Sequence, residues 1–392
     1  MTPNAESNAI PAVFANKSGR IPELDGLRGI AIALVVYYHC IFNLLTAKKG
    51  SAAYVLLASG RLSWTGVDLF FVLSGFLIGG ILIDARNSPN YFKTFYARRA
   101  FRILPLYAVV CVLTLSCFLL WTRADRPALM NPLFQGTLPW FTYLLFLQNF
   151  WMVSRNIMWG GVLTVTWSLA IEEQFYLTLP LLIRHVRTHL LSWVLPAAIV
   201  VVPIMRTIIF YEYRNGAAAD AALMPCRADA LLLGVLCAIL FRNNRAWEWV
   251  KTHTRLLWWL LLPLILGIMG LTVGNTSNAT SLLFCAVGYT WMALFYTCIL
   301  LLALSDPNNI FSKMLRSHFL QWLASISYGV YLLHVTILEI CLILLRGRTD
   351  GIRNIGDLGC VVLAIVLTLV ICAASSTYFE RPMLKRGHTF RY

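Results

Sequence analysis

Apolar runs of about 18 to 25 residues recur along the whole chain, and short polar segments separate them. A run of this length suffices for a helix to cross the hydrocarbon core of a bilayer. The pattern predicts an all-α bundle of about ten transmembrane helices. The predicted spans are residues 24–46, 66–84, 103–121, 165–183, 190–211, 228–241, 256–273, 281–304, 319–345 and 357–380. The span at 228–241 is the weakest, because it is shorter than the bilayer core.

An eleventh apolar piece, residues 138–151, is short and follows two prolines. A piece of this length is more often interfacial or re-entrant than spanning. If it does not span, most Lys and Arg residues lie on the same side of the membrane as the N terminus, as the positive-inside rule requires. If it spans, the excess of Lys and Arg falls on the other side. We therefore predict ten spans, both termini in the cytoplasm, and a long outer segment from Trp121 to Thr164.

Composition excludes a sizeable soluble domain, since 59% of residues are hydrophobic, 12% are charged and the mean hydropathy is +0.71. The net charge of +15 comes mainly from short loops between apolar runs. Orientation and anionic lipid account for such charge, so membrane lipid rather than nucleic acid is the expected partner. We predict a disordered cytoplasmic tail at 1–20, a membrane domain at 21–382 and a cytoplasmic tail at 383–392.

Ionisable side chains lie inside the first predicted span. Arg28 and His39 are eleven residues apart, which on a helix is about 16 Å of rise and nearly a whole number of turns. Asp25 falls near the same side. An ionisable residue within a span marks a functional site by default. The alternative is a histidine that only bonds to a neighbouring helix.

Two adjacent carboxylates, Glu172 and Glu173, occupy the fourth predicted span. They point about 100° apart, so only one can face a given site. In the ten-span arrangement Glu172 and His39 lie at matching depth. The sequence therefore predicts a histidine–carboxylate pair, provided that the first and fourth helices touch.

An arginine cluster, FYARRAFRILPLY, precedes the third predicted span. Arg98, Arg99 and Arg102 are spaced so that at least two guanidinium groups share one helix face. Such groups bind phosphates well, and they also serve as ordinary anchors of cytoplasmic loops. The cluster is a candidate site for a phosphorylated donor, with simple anchoring as the alternative.

Other polar residues lie in or beside later spans. Arg227 and Asp229, at the start of the sixth, form either a local ion pair or part of an acceptor site. In the ninth, Tyr328 and His334 either bond within the bundle or line a site. The ten cysteines form no close Cys/His ligand set, so no metal is expected.

Six motifs in this order resemble the membrane acyltransferase-3 family, which includes the O-antigen and exopolysaccharide O-acetylases. They are LDGLRGIAI followed by His39, DLFFVLSGF, RRAFRILPLY, WSLAIEEQFYL, RADALLLG and SYGVYLLH, and they extend from about Leu24 to Pro382. The resemblance implies a ten-span bundle in the inner membrane of a bacterium. It also implies transfer of an acyl group, expected to be acetyl, from cytoplasmic acyl-CoA to a sugar hydroxyl of a lipid-linked or exported glycan such as lipopolysaccharide.

The resemblance further assigns roles to individual residues. His39 matches the family's essential histidine and Arg28 the arginine paired with it, while Glu172 matches the more regular of two glutamates. The basic motif that meets the CoA phosphates matches Arg98, Arg99 and Arg102. The residues predicted to bind substrate are Asp25, Ser74, Tyr176, Arg227, Asp229, Tyr328 and His334.

These matches lead to one mechanistic hypothesis. His39 acts as general base or transient acyl carrier, Glu172 orients it, and Arg28 steadies the donor or the developing oxyanion. Some relatives carry an extracellular hydrolase-like domain that completes the transfer. The sequence ends about ten residues after its last predicted span, so we expect either direct acylation or a separate periplasmic transfer protein.

Two other functional classes fit a polytopic protein with buried charge. A transporter, such as a flippase for lipid-linked sugars, usually shows internal repeats or broken helices, and no repeat is visible in the sequence. A membrane glycosyltransferase normally has acidic clusters in its outer loops, whereas the acidic residues here are few and scattered.

Overall fold

A computed structural model describes residues 21–45, 51, 60–123, 131–134, 138–156, 161–213, 216–273, 281–349 and 351–392. The predicted N-terminal tail, residues 1–20, lies outside them. The α-helices of the described chain are α1 (Pro22–Tyr37), α2 (Gly66–Asp84), α3 (Tyr91–Arg123), α4 (Asn131–Phe134), α5 (Trp140–Leu144), α6 (Gln148–Arg155), α7 (Trp167–His185), α8 (Thr188–Glu212), α9 (Gly216–Ala222), α10 (Met224–Arg242), α11 (Asn244–Thr252), α12 (Thr254–Val273), α13 (Tyr289–Ser305), α14 (Ile310–Leu315), α15 (His318–Arg346), α16 (Ile355–Ser375) and α17 (Arg381–Gly387).

Shorter helical turns adjoin several of these helices. Single π-helical turns are found at Tyr38–Phe42, Phe284–Gly288 and Ser376–Glu380. Two 3₁₀ turns, Ser63–Thr65 and Thr164–Thr166, lead directly into α2 and α7. The first π turn continues α1 and contains His39, so this histidine lies where the helix is locally unwound. Such turns are frequent at functional sites.

Nine helical segments of the described chain are long and apolar enough to cross a membrane, which confirms the all-α multi-pass bundle. They correspond to nine of the ten predicted spans. The tenth forms α7, whose 19 residues rise by roughly 28 Å. Glu172, Glu173 and Gln174 make α7 less apolar than the others. The cytoplasmic placement of both termini remains a prediction from loop charge.

The span predicted to be weakest is a central helix of the bundle. α10 begins at Met224, before the predicted start, and its 19 residues suffice for the bilayer core, so the prediction of a short span was wrong. α10 packs closely along α2 through glycines. A methyl group on Gly75 would collide with the carbonyl of Leu231, and one on Gly234 with the carbonyl of Val72. The two backbones are therefore in direct contact, as the small residues of the second span predict.

The eleventh apolar piece does not form one spanning helix. It divides into α5 and α6, of five and eight residues, on either side of Phe146, whose φ is 53°. Buried side-chain amides anchor α6: Gln148 Nε2 donates to the carbonyl of Thr166 and Asn149 Nδ2 to that of Ala222, each at 3.0 Å. This agrees with the ten-span arrangement, in which the piece does not cross the membrane.

The residues predicted as a C-terminal tail pack onto α3. Helix α17 runs past residue 382, where the membrane domain was predicted to end. Arg98 Nε and Nη2 then donate to the carbonyl of Phe390 at 3.0 and 2.7 Å, and the Arg98 guanidinium lies 5.1 Å from the ring centre of Tyr392. The last described residues therefore belong to the helical bundle.

Candidate active site

A cavity of about 280 Å³ lies between α1, α2, α3, α7 and α15. Apolar side chains of α2 form much of one wall. The polar and charged lining residues are Arg28, Ser74, Arg99, Arg102, Ser168, Glu172, Tyr176, Ser327, Tyr328 and Tyr331. Arg102 is exposed as well as lining the cavity, so the cavity reaches the surface at the end that carries its arginines.

Two of the three arginines that line the cavity form no ion pair with a described residue. Arg28 Nη1 donates to Asp25 Oδ1 at 2.9 Å. Among the described residues neither Arg99 nor Arg102 forms an ion pair, and Arg99 Nε is buried without a hydrogen-bond partner. The Arg99 guanidinium lies 5.9 Å from the ring centre of Tyr176, a favourable cation–π distance. A buried guanidinium donor facing a cavity favours an anionic ligand.

Glu172 is hydrogen-bonded in the cavity wall. Ser74 Oγ donates to Glu172 Oε1 at 2.7 Å, and Tyr176 Oη donates to Oε2 at 3.1 Å. Tyr176 reaches the carboxylate because it lies one turn further along the same face of α7. The structure thus brings together three residues that the sequence predicts for the site.

His39 has a different partner from the one predicted. His334 Nε2 lies 3.2 Å from His39 Nδ1, and the ring centres are 4.9 Å apart. His39 Nδ1 also lies 3.0 Å from the carbonyl oxygen of Val35. The predicted pairing of His39 with Glu172 was therefore wrong. Matching depth did not reveal that the π turn directs His39 toward α15, while Glu172 faces α2.

The histidine pair lies outside the cavity lining but close to Tyr331, whose ring centre is 6.1 Å from that of His334. The hydroxyls of Ser168 and Tyr331 contact one another there, and Tyr331 Oη donates to the carbonyl of Val165 at 2.8 Å. His334 follows Tyr331 by three residues on α15. Neither His39 nor His334 lines the cavity, but His39 is partly exposed whereas His334 is buried, with 1% of its surface accessible. The predicted substrate contact of His334 is thus not supported by its position.

Arg227 and Asp229 lie in a separate buried network. Arg227 Nη2 pairs with Asp68 Oδ1 at 2.5 Å, and Arg206 Nη1 pairs with Asp229 Oδ2 at 2.9 Å. The Arg227 guanidinium also lies 4.0 Å from the ring centre of Tyr289. These contacts join α2, α8, α10 and α13. Instead of the predicted local pair or acceptor site, both residues serve interhelical ion pairs away from the cavity lining.

The remaining predicted residues divide between the cavity and its surroundings. Tyr328 lines the cavity and donates to the carbonyl of Ile103 at 2.7 Å. Asp25 is not among the lining residues, but it accepts a hydrogen bond from Arg28, which is. Arg98 does not line the cavity, because its guanidinium is held by the carbonyl of Phe390.

Ser168 and Tyr331 were not predicted as site residues. Ser168 is four residues before Glu172, and the helical periodicity that places Tyr176 beside Glu172 also places Ser168 on that stripe. Tyr331 lies one turn after Tyr328 on α15. The spacing was visible in the sequence, but the contact between α7 and α15 was not. No group of His, Cys, Asp or Glu side chains that could hold a metal occurs in the described residues.

A family profile described as an acyltransferase domain matches residues 21–377, nearly the whole chain. The chain belongs to the acyltransferase-3 family. Its match includes every helix that lines the cavity as well as the π turn that carries His39. No solved structure matches the chain significantly.

Curated relatives of the chain are longer proteins. It is 26% identical over 389 residues to the peptidoglycan O-acetyltransferase OatA of Listeria monocytogenes, covering 94% of this chain and 56% of that protein. It is 26% identical over 395 residues to the O-acetyltransferase OatA of Staphylococcus aureus, covering 94% and 58%. The chain thus spans about half the length of these relatives.

Proposed function

We propose that this multi-pass membrane acyltransferase moves an acetyl group from acyl-CoA to a sugar hydroxyl of a cell-surface glycan, in the inner membrane of a bacterium. The family membership supports acyl transfer, and the names of the bacterial relatives support acetyl as the group and a glycan as the acceptor. Peptidoglycan is the acceptor we would test first. Lipopolysaccharide and exopolysaccharide are alternatives within the same class.

The observation that carries the proposal is the polarity of the cavity. At its open end Arg99 and Arg102 are available to an anion, and Arg99 Nε is a buried donor without a partner among the described residues. Coenzyme A is a polyanion with a long, thin pantetheine arm. In this proposal the nucleotide phosphates bind at the arginines, and the arm extends into the cavity of about 280 Å³.

The chemistry requires a base at the far end of this path. In the proposed reaction His39 Nε2 takes the proton of the sugar hydroxyl as the hydroxyl oxygen attacks the thioester carbonyl carbon. The carbon–sulfur bond breaks, and the CoA thiolate leaves with the proton that His39 returns. Ser168 and Tyr331 line the cavity, and Tyr331 lies one turn before His334 on α15, so the proposed path of the thioester runs from the cavity past these two side chains. The products are a sugar ester and free CoA.

A transfer assay with a labelled acetyl group tests the proposal. The purified full chain in lipid nanodiscs would be incubated with [¹⁴C]acetyl-CoA and either peptidoglycan fragments or lipopolysaccharide oligosaccharides. We expect label in the glycan together with an equal amount of free CoA thiol. Label that stays on CoA with every acceptor would contradict acyl transfer and favour the transporter alternative. If the glycan is labelled only when a separate periplasmic protein is added, the bundle delivers the acyl group to that protein.

A further inference from the structure

His334 is a buried partner of the proposed catalytic histidine. It lies on α15, with its Nε2 3.2 Å from Nδ1 of His39 across the interface with α1. Since only 1% of its surface is accessible and it does not line the cavity, His334 cannot contact either substrate directly. Its influence on the reaction has to pass through His39.

The hydrogen bonds of His334 determine which of its nitrogens carries the proton. His334 Nδ1 lies 2.9 Å from the carbonyl oxygens of both Val330 and Tyr331. A carbonyl oxygen only accepts hydrogen bonds, so Nδ1 must carry a hydrogen. The polar contacts of His334 within the described chain are these two carbonyls and His39. Without a carboxylate to balance a buried cation, the ring is neutral and its Nε2 is an acceptor.

The same reasoning then fixes the proton on His39. Its Nδ1 faces two acceptors, the carbonyl oxygen of Val35 at 3.0 Å and the Nε2 of His334. Nδ1 of His39 must therefore be the donor, which leaves the lone pair of a neutral ring on Nε2. This nitrogen is the one that the proposed reaction needs as a base.

We propose that His334 is a positioning residue that, together with the carbonyl of Val35, holds His39 as the Nδ1–H tautomer, with the Nε2 lone pair free to accept the proton of the incoming hydroxyl. The inference rests on the proposed function. In a Ser-His-Asp triad a carboxylate orients the histidine. Here a neutral imidazole does so, which avoids the cost of burying a carboxylate beside His39.

Two substitutions of similar polarity separate this role from simple packing. In His334→Asn the amide can still donate to the carbonyls of α15, but it is too short to reach His39. In His334→Gln the longer side chain places an amide oxygen near the Nε2 position, where it can accept from His39 Nδ1. We expect kcat to fall about 10²-fold or more in the asparagine variant. In the glutamine variant we expect kcat to stay at least about tenfold higher than in the asparagine variant. KM for acetyl-CoA should change less than about threefold in both, since His334 is outside the cavity.

The ¹⁵N spectrum of protein labelled at histidine reports the tautomer directly. The main measurement is made on the unmodified protein, so it stands even if a variant fails to fold. The signals of His39 would be assigned by their loss in His39→Asn. We expect a protonated Nδ1 and an unprotonated Nε2 in the unmodified protein, and a smaller share of this tautomer in His334→Asn, where the carbonyl of Val35 is the remaining acceptor. A protonated Nε2 in the unmodified protein would overturn the inference, as would equal kcat values for the two His334 variants. An unmodified protein with the expected spectrum but no transferase activity would instead refute the proposed function.

Discussion

The bundle contains two groups of arginines whose surroundings differ. Arg206 and Arg227 are almost completely buried, and each faces a carboxylate on another helix. Arg99 and Arg102 face the cavity, and neither forms a direct ion pair within the described chain. Burying a charge is costly unless a partner compensates it. Carboxylates on neighbouring helices pair directly with Arg206 and Arg227, whereas the guanidinium groups of Arg99 and Arg102 remain open to solvent or to an anionic ligand.

This difference separates charges that hold the bundle together from charges available for chemistry. Location on a spanning helix does not separate them, because both groups lie on helices that are long and apolar enough to cross a membrane. Pairing does. If the distinction is correct, substitutions in the first group should reduce stability and substitutions around the cavity should reduce activity. Four substitutions, at His39, Asp68, Arg99 and Arg98, test this distinction.

His39→Ala should have the largest effect on activity. Removing a general base costs about 10²–10⁴-fold in rate, and loss of a transient acyl carrier would abolish transfer. Because His39 is only partly buried, we expect little change in thermal unfolding. The comparison is His253→Ala, a histidine stacked on Trp249 beside α11, away from the cavity lining. Glycan acetylation by His39→Ala at the unmodified rate would rule out a catalytic role.

Asp68→Ala should have the largest effect on stability. It leaves Arg227 buried without its carboxylate, which typically costs about 3–5 kcal/mol. The matched variant is Asp84→Ala, because Asp84 pairs with Arg242 at 2.6 Å but is 36% exposed. An exposed pair contributes about 0.2–1 kcal/mol. Thermal unfolding in the same detergent compares the two, and equal losses would contradict the assignment of the Asp68–Arg227 pair to the structural group.

Arg99→Ala should raise KM for acetyl-CoA by about 10–100-fold, the equivalent of losing one or two hydrogen bonds to a charged group. We expect the unfolding temperature to change little, since Arg99 forms no ion pair with a described residue. Initial rates at varied acetyl-CoA concentration measure the effect. An unchanged KM would show that the phosphates bind elsewhere.

Arg98→Ala should have the smallest effect, below about threefold in KM, although it is the adjacent residue. Its guanidinium is already bound by the carbonyl of Phe390 and does not line the cavity. The same titration with acetyl-CoA tests it. If Arg98→Ala and Arg99→Ala raise KM equally, the two arginines act as one motif and the contrast between them fails.

Much of the fold follows from the sequence because each spanning helix needs a long apolar run. The charge bias of the loops also indicated that residues 138–151 would not span. The start of α10 was missed because Pro225 and Arg227 interrupt the apolar run, yet Arg227 is acceptable inside the bundle once Asp68 compensates it.

The candidate site was predictable only in part. Helical periodicity indicates that Glu172 and Tyr176 share a face of α7, and a contact with Ser74 requires only that α2 lies opposite. The partner of His39 could not be found in this way, because matching depth says nothing about the direction in which a side chain points. The π turn at Tyr38–Phe42 sets that direction, and neither the hydrophobic pattern nor the motifs of the first span indicate this turn.

The close approach of α2 and α10 limits how the protein can move during turnover. Gly75 lies against the carbonyl of Leu231 and Gly234 against that of Val72, so at these points no side chain separates the two backbones. We expect α2 and α10 to move together as one rigid unit. The walls on α3, α7 and α15 instead present side chains such as Tyr176, Tyr328 and Tyr331, so we expect any change in the width of the cavity to come from those walls.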